Sequence, residues 1–197
     1  MNLSMDFGSR CKVAVIGMEK YKDVLGEEAV CFLSEGEEAA SCDFIIKRNN
    51  DGLFLCTNDE KQSGFTTVCD PDMEEAALRS LVQLLTRDAI IAVDWYDIEH
   101  QMKEKANYFT KKVSLEGLEE ETRQWMQEIA AQADVTQGCL IFASGDLSMI
   151  DMKNICDAWM ELEGTSASEL VFSLFYDEEC HEEAQISLWI NSRDESF

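Results

Sequence analysis

A chain of 197 residues with 46% hydrophobic content carries enough apolar side chains for one large core or two small ones, so a folded protein is expected. Forty acidic against 16 basic residues leave a formal net charge of -24. That excess repels phosphate backbones and anionic lipid, whose capture needs clustered Lys and Arg, so nucleic acid and membrane surfaces are excluded as expected partners.

Residues 1 to 10 lack periodicity and read as a frayed terminus. Cys11 to Gly17 reads as a buried strand, Glu19 to Leu25 as a short helix and Ala29 to Leu33 as a second strand. Glu35 to Ala40 forms an acidic connection. Phe44 to Lys47 and Leu53 to Cys56 flank Arg48-Asn49-Asn50-Asp51-Gly52, whose Asn and Gly residues supply the backbone conformations of a hairpin turn. The only proline, Pro71, introduces a helix over Met73 to Thr86, with Ala76, Ala77, Leu81, Leu84 and Leu85 at helical spacing.

The run Ile90-Ile91-Ala92-Val93 then stops at two carboxylates three residues apart, Asp94 and Asp97, with Trp95 and Tyr96 between them. Glu99 to Ala106 reads as a helical connection into a strand near Tyr108 to Leu115. Leu118, Thr122, Trp125, Met126, Ile129, Ala130 and Ala133 line one face of a helix, with Glu119 to Glu121 in its first turn, where the dipole favours anions. Gly138 to Ala143 is apolar on both faces and fits a central strand. Ser148 opens another helix with Asp151 three residues on, Met149, Met152, Cys156 and Trp159 forming its apolar stripe and Gly164 its stop. Leu170 to Tyr176 reads as an apolar strand, followed by the acidic turn Asp177-Glu178-Glu179 with Glu182-Glu183. The strand beside it, Ala184 to Ile190, alternates so that Gln185, Ser187, Trp189 and Asn191 face a largely wet side.

Cys11, Cys31, Cys42, Cys56, Cys69, Cys139, Cys156 and Cys180 contain no Cys-x-x-Cys pair, and several lie inside apolar runs. They read as buried free thiols. The first residues show no basic n-region, apolar h-region or small-residue cleavage site, so a reducing cytoplasm is the expected location. Only His100 and His181 can join the cysteines as metal ligands, and adjacent Cys180-His181 are awkward for one tetrahedral ion; no metal and no cofactor are expected.

Ala92-Val93-Asp94-Trp95-Tyr96-Asp97-Ile98 resembles the synergy-loop segment of FtsZ, an Asn-Val-Asp-Phe-Ala-Asp-Val pattern at the end of a strand after the long central helix. Both aspartates match and the Asn does not. Gly138 to Asp146, the helix opened by Leu147-Ser148 and ended at Gly164, and Leu170 to Glu179 are similar to the strand, helix and strand order of the FtsZ C-terminal domain. The resemblance runs from about Met73 to Asn191. It implies an α/β plus α+β chain, with a short N-terminal mixed α/β segment, a central helix and a C-terminal α+β sheet domain carrying two packed helices. Residues 1–87 would be the reduced nucleotide-binding-like segment with the central helix, and 88–197 the tubulin/FtsZ C-terminal-like domain.

The departure lies upstream. Members of the tubulin/FtsZ superfamily hold GTP on a glycine-rich loop whose bare N–H groups approach phosphates that a Cβ would obstruct. Here no two glycines are adjacent. Gly17 follows a strand, but Met18, Glu19 and Lys20 come next, and Glu19 would repel a phosphate. In the family the paired carboxylates polarise water against nucleotide presented by a neighbouring subunit. Alone, Asp94 and Asp97 end a strand and cap the helix that follows. Trp95 and Tyr96 suit either an interface or the chain's own core.

Lys103, Lys105, Lys111 and Lys112 form the one local surplus of positive charge and read first as a solvated face. Gly-x-Ser-x-Gly is absent, and Ser144-Gly145-Asp146 has no evident histidine partner. The expected function is therefore that of a non-catalytic FtsZ-like protein, a modulator or cap of tubulin-like filaments. Its partner would be an FtsZ/tubulin-like protein or a second copy, met through Asp94, Trp95, Tyr96 and Asp97. The alternatives are a small-ligand or regulatory binding domain on the same scaffold, and a weak GTPase with a degenerate pocket at Gly17. A linker and partner-docking tail are not expected after Asn191 to Phe197.

Overall fold

The computed structural model describes residues 11–25, 30–59, 64–86, 89–102, 104–133, 135, 138–165, 170–177, 180 and 182–191. The expected frayed terminus, Lys103, Glu178, Glu179 and His181 lie outside them. Fifteen elements follow in chain order among the described residues. They are β1 (Val13–Ile16), a 3-10 turn (Glu19–Tyr21), α1 (Lys22–Leu25), β2 (Val30–Leu33), β3 (Phe44–Arg48), β4 (Leu53–Thr57) and β5 (Gly64–Val68). Then come α2 (Glu74–Thr86), α3 (Trp95–Gln101), β6 (Lys105–Ser114), α4 (Leu118–Ala130), β7 (Cys139–Gly145), α5 (Met149–Met160), β8 (Leu170–Tyr176) and β9 (Glu183–Asn191).

All nine strands join one mixed sheet in the order β2-β1-β3-β4-β5-β6-β9-β7-β8. The expected hairpin is β3–β4, with Arg48 opposite Leu53. Asn49 Oδ1 accepts the backbone N–H groups of Asp51 and Gly52, at 2.9 Å each, which closes the turn. A Cβ on Gly52 would stand 2.1 Å from the carbonyl oxygen of Thr67, so the turn can pack against β5 only with glycine there.

Two apolar layers sandwich the sheet. On one face α2 and α3 bury Leu78, Leu81, Leu85, Trp95 and Ile98 against Val13, Phe44, Leu55, Phe142 and Trp189. On the other, α4 and α5 bury Trp125, Met126, Met152, Ile155 and Trp159 against Ile141, Ala143, Ile186 and Leu188. Strand β7 sits between β9 and β8 with a layer on each face, and every one of its residues is buried. That placement accounts for its unbroken apolar sequence. No helix among the described residues is long and apolar enough to cross a membrane.

Several expectations need correction. The face of β9 carrying Ser187, Trp189 and Asn191 is buried, because α2 lies over it and Ser80 reaches Ser187 at 3.1 Å. Its polar side chains are paired within the protein rather than wetted. Strand β8 does not flank β9; it is the sheet edge beside β7, parallel to it, as a crossover through a helix requires. The stripe of α5 is Met152, Ile155, Ala158 and Trp159, whereas Met149 is exposed on its first turn. The run at Ile90 to Val93 makes only a single antiparallel bridge, Ile91 to Leu174, along the outer edge of β8. Strand β5 carries no clear signal of its own, since Phe65 is the only strongly apolar residue in its first four positions.

Candidate functional site

Helix α3 presents the acidic loop. Asp94 is its N-cap, in extended conformation, and Asp94 Oδ1 accepts the backbone N–H of Asp97 at 2.8 Å. A capping aspartate satisfies one of the donors left free at a helix start and places a negative charge at the positive end of the helix dipole. The first carboxylate thus has a structural task. The second, Asp97, lies exposed in the first turn.

The two aromatic residues diverge because neighbours on a helix point about 100° apart. Trp95 turns inward and packs on Phe44, ring centroids 5.3 Å apart. Tyr96 turns outward, 70% exposed, and stacks on the ring of His100 one helical turn away, with planes only 6° apart. Of the four residues expected to act together, Asp94, Tyr96 and Asp97 therefore share a surface, and Trp95 belongs to the core.

The segment leading into the loop is held by the sheet edge. Leu174 N–H donates to the Ile91 carbonyl at 3.2 Å, Ser173 Oγ donates to the same carbonyl at 2.8 Å, and Ile90 N–H donates to the Leu174 carbonyl at 2.8 Å. These contacts seat the loop start beside β8, while Asn191 Nδ2 holds the far end of α3 by donating to the Gln101 carbonyl at 2.8 Å. Helix α3 is pinned at both ends, which gives the outward row Asp94, Tyr96, Asp97 and His100 a defined geometry.

The environment of Gly17 differs from a phosphate cradle. Its φ of 71° is a turn conformation, and its N–H is already spent on the Leu33 carbonyl at 2.9 Å. The closest atoms to where its Cβ would stand belong to the Glu35 side chain, from 3.4 Å. The basic residues of β6 do not form one patch, because successive strand residues alternate faces. Lys105 pairs with Asp51 at 3.0 Å and Lys112 approaches Glu183 at 4.0 Å.

A second polar assembly escaped sequence reading. Ser80 on α2, Tyr108 on β6 and Ser187 on β9 join through hydroxyl contacts of 3.1 Å, and Thr110 Oγ1 reaches Ser187 at the same distance. Burial, opposed by these hydroxyl contacts, raises the Tyr108 phenol above its usual value. Ser80, Tyr108 and Ser187 lie 28 to 107 residues apart, so no local spacing could have signalled the assembly.

No protein-family model matches the chain, and no curated protein matches it. Solved structures do. The empty FtsZ dimer of M. jannaschii matches 62% of this chain at 19% identity with a TM-score of 0.51. A tryptophan-to-tyrosine mutant of the same FtsZ matches 61% at 19% identity with a TM-score of 0.49. In both cases the match spans 38% of the FtsZ chain. Over 62% of its length, then, this chain has a tubulin/FtsZ-like fold.

Proposed function

We propose that this chain is a non-catalytic binding protein of the cytoplasm that associates with a subunit of FtsZ-like fold through the outward face of α3. The observation that carries the reading is Tyr96, an aromatic ring 70% exposed between two exposed carboxylates on a helix pinned at both ends. Exposed tyrosines on rigid elements anchor interfaces at low entropic cost, and the flanking charges select the partner. The buried turn of Trp95 restricts the contact to Asp94, Tyr96 and Asp97.

Two features favour binding over hydrolysis. Glu35 stands over Gly17 where a phosphate would have to approach, and two like charges at such range repel strongly. Asp94 is engaged as a helix cap, so it is restrained from polarising water.

The test is sedimentation of this protein with an FtsZ-like protein of its own source, with GTP turnover read in parallel. Asp94→Asn keeps the cap and removes the charge, which Asp94→Ala would not. Wild type is expected to co-sediment or to alter turnover, and Tyr96→Ala, Asp97→Asn and Asp94→Asn each to weaken the effect about tenfold. Equal behaviour of wild type and all three variants would reject this surface. Sedimentation of the chain alone would make its partner a second copy.

A further inference from the structure

We infer that Cys31 and Cys42 are a peroxide-responsive thiol pair, which a hydroperoxide oxidises to a reversible disulfide that staples edge strand β2 to the turn before β3. The geometry starts from a cross-strand row. Cys31 on β2 is the register partner of Ala14 on β1, Ala14 is the partner of Ile45 on β3, and Ile45 opposes Cys56 on β4. Paired residues of neighbouring strands share a face of the sheet, so all four point to one side. On that side Ala14 contributes only a methyl group. The turn 39–42, in which the Cys42 N–H donates to the Ala39 carbonyl at 2.9 Å, closes over it. Ala14, Ala39, Cys42, Ile45 and Cys56 form one buried cluster, and Cys31 packs against it from the sheet edge. There the Cys31 and Cys42 side chains meet in a thiol–thiol hydrogen bond.

The two thiols differ in a way that divides the chemistry between them. Cys31 is half-buried on the outermost strand, within reach of a small oxidant, whereas Cys42 is buried. Burial first, and the hydrogen bond with Cys31 second, push the Cys42 thiol up to about 11, so it stays protonated at neutral pH. The thiolate is the attacking species, which makes Cys31 the thiol that meets the oxidant and Cys42 the one that resolves the product. Cys56 cannot replace Cys42 as the partner of Cys31. Three strand spacings of about 4.8 Å separate Cys31 from Cys56, while a disulfide needs its two Cα atoms within about 7 Å.

With hydrogen peroxide as the oxidant, the Cys31 sulfur attacks one peroxide oxygen, the O–O bond breaks, and the other oxygen leaves as water with the proton given up by Cys31. Cys31 is then a sulfenic acid. The Cys42 sulfur attacks the Cys31 sulfur, the S–O bond breaks, and the oxygen leaves as a second water with the Cys42 proton. Two thiols lose two electrons, and one peroxide gains them. In a reducing compartment the pair rests as dithiol and returns to it by exchange with a small thiol, the pattern of a sensing disulfide rather than a structural one.

Peptide mapping of the full chain after hydrogen peroxide treatment in native buffer tests the assignment. Free thiols are blocked with N-ethylmaleimide, and the chain is cut without reduction by trypsin and a glutamate-specific protease. Glu35 and Glu38 lie between Cys31 and Cys42, and Lys47 and Arg48 between Cys42 and Cys56, so each of these cysteines falls on its own peptide. The Cys31 and Cys42 peptides are expected to be cross-linked, and dithiothreitol to release them. In Cys42→Ser, dimedone should trap Cys31 as the sulfenic acid, and in Cys31→Ser, Cys42 should be oxidised at least about tenfold more slowly than in wild type. The wild-type map stands without either variant. A wild-type chain in which Cys31 and Cys42 are still separately blocked by N-ethylmaleimide after other cysteines have been oxidised would overturn the proposal, as would a cross-link from Cys42 to Cys56 or undiminished oxidation of Cys42 in Cys31→Ser.

Discussion

The hydroxyl of Tyr21 donates to Glu74 Oε1 at 2.6 Å across 53 residues of sequence, tying the turn after β1 to the first residue of α2. The same carboxylate accepts from Arg48 and lies 3.4 Å from Lys20 Nζ. Burial opposes the charge on Glu74, but hydrogen bonds from Tyr21 and Arg48 outweigh it and hold the carboxyl below its ordinary 4.5. Because the folded value is the lower one, ionised Glu74 contributes stability at all pH above the unfolded value, and the contribution fades as pH falls through the folded value. Arg48 and Lys20 are more than half exposed, so solvent screens much of the charge term. Glu74→Gln should therefore cost only about 1 to 2 kcal/mol at pH 7. Its Tm deficit against wild type should close as pH drops below 4.5. A deficit that persists unchanged at pH 3 would mean that shape, not charge, holds this junction.

Asp94 separates structure from recognition in one residue. Losing the cap in Asp94→Ala should destabilise the protein by about 1 kcal/mol in urea titration, whereas Asp94→Asn should stay within a few tenths of wild type. Asp97 caps nothing among the described contacts, so Asp97→Asn should leave stability unchanged. If Asp94→Ala proved neutral, α3 would not depend on its cap, and either substitution would serve equally in binding assays.

How much of this was legible in sequence depended on how local its cause was. The capping box of α5 was readable because Ser148 and Asp151 bond each other reciprocally within one turn. The buried face of α4 followed from helical spacing alone, and Thr122, Trp125, Met126 and Ile129 are buried as the pattern implied. The hairpin at Gly52 was readable from turn chemistry. What failed was long-range. The alternation in β9 was real, but alternation separates two faces without saying what covers each. Only the tertiary placement of Ser80 above Ser187, and of Thr67 beneath the indole N–H of Trp189 at 3.1 Å, reveals that the polar face is buried. Arg79, Lys112, Ser144 and Gln185 line one surface cleft from four separate elements, and no spacing connects them. In the acidic loop, sequence pattern located Asp94 and Asp97 but could not tell which of two adjacent aromatics faces inward.

Thr122 offers a test of an opposite kind. Its hydroxyl is buried within the α4 layer with no hydrogen-bond partner, the single such side-chain atom among the described residues. An unpaired buried hydroxyl carries a desolvation cost that an isosteric methyl lacks. Thr122→Val should then stabilise the protein by about 0.5 to 1 kcal/mol, seen as a raised urea midpoint with unchanged slope. Destabilisation by the same amount would indicate that the hydroxyl does find a partner in solution.

The cysteines test how firmly the two layers are closed. Burial pushes the Cys69 thiol up to about 11, with Glu74 adding to it, and burial with the neighbouring Asp157 does the same for Cys156. Cys139, wholly buried in β7, is raised well above its ordinary 9.0 by burial first and Cys156 second. Since the thiolate is the species that reacts, a value near 11 leaves about one thiol in 3,000 reactive at pH 7.5. Inaccessibility adds to this at Cys139, which can be alkylated only when the sheet opens. With iodoacetamide at pH 7.5, followed by peptide mass spectrometry, half-buried Cys31 on edge strand β2 should be modified first and Cys139 last. The Cys139 rate should rise with sub-denaturing urea in proportion to the unfolded fraction. Modification of Cys139 at a rate like that of Cys31 in native buffer would show that the β7 region opens independently of global unfolding.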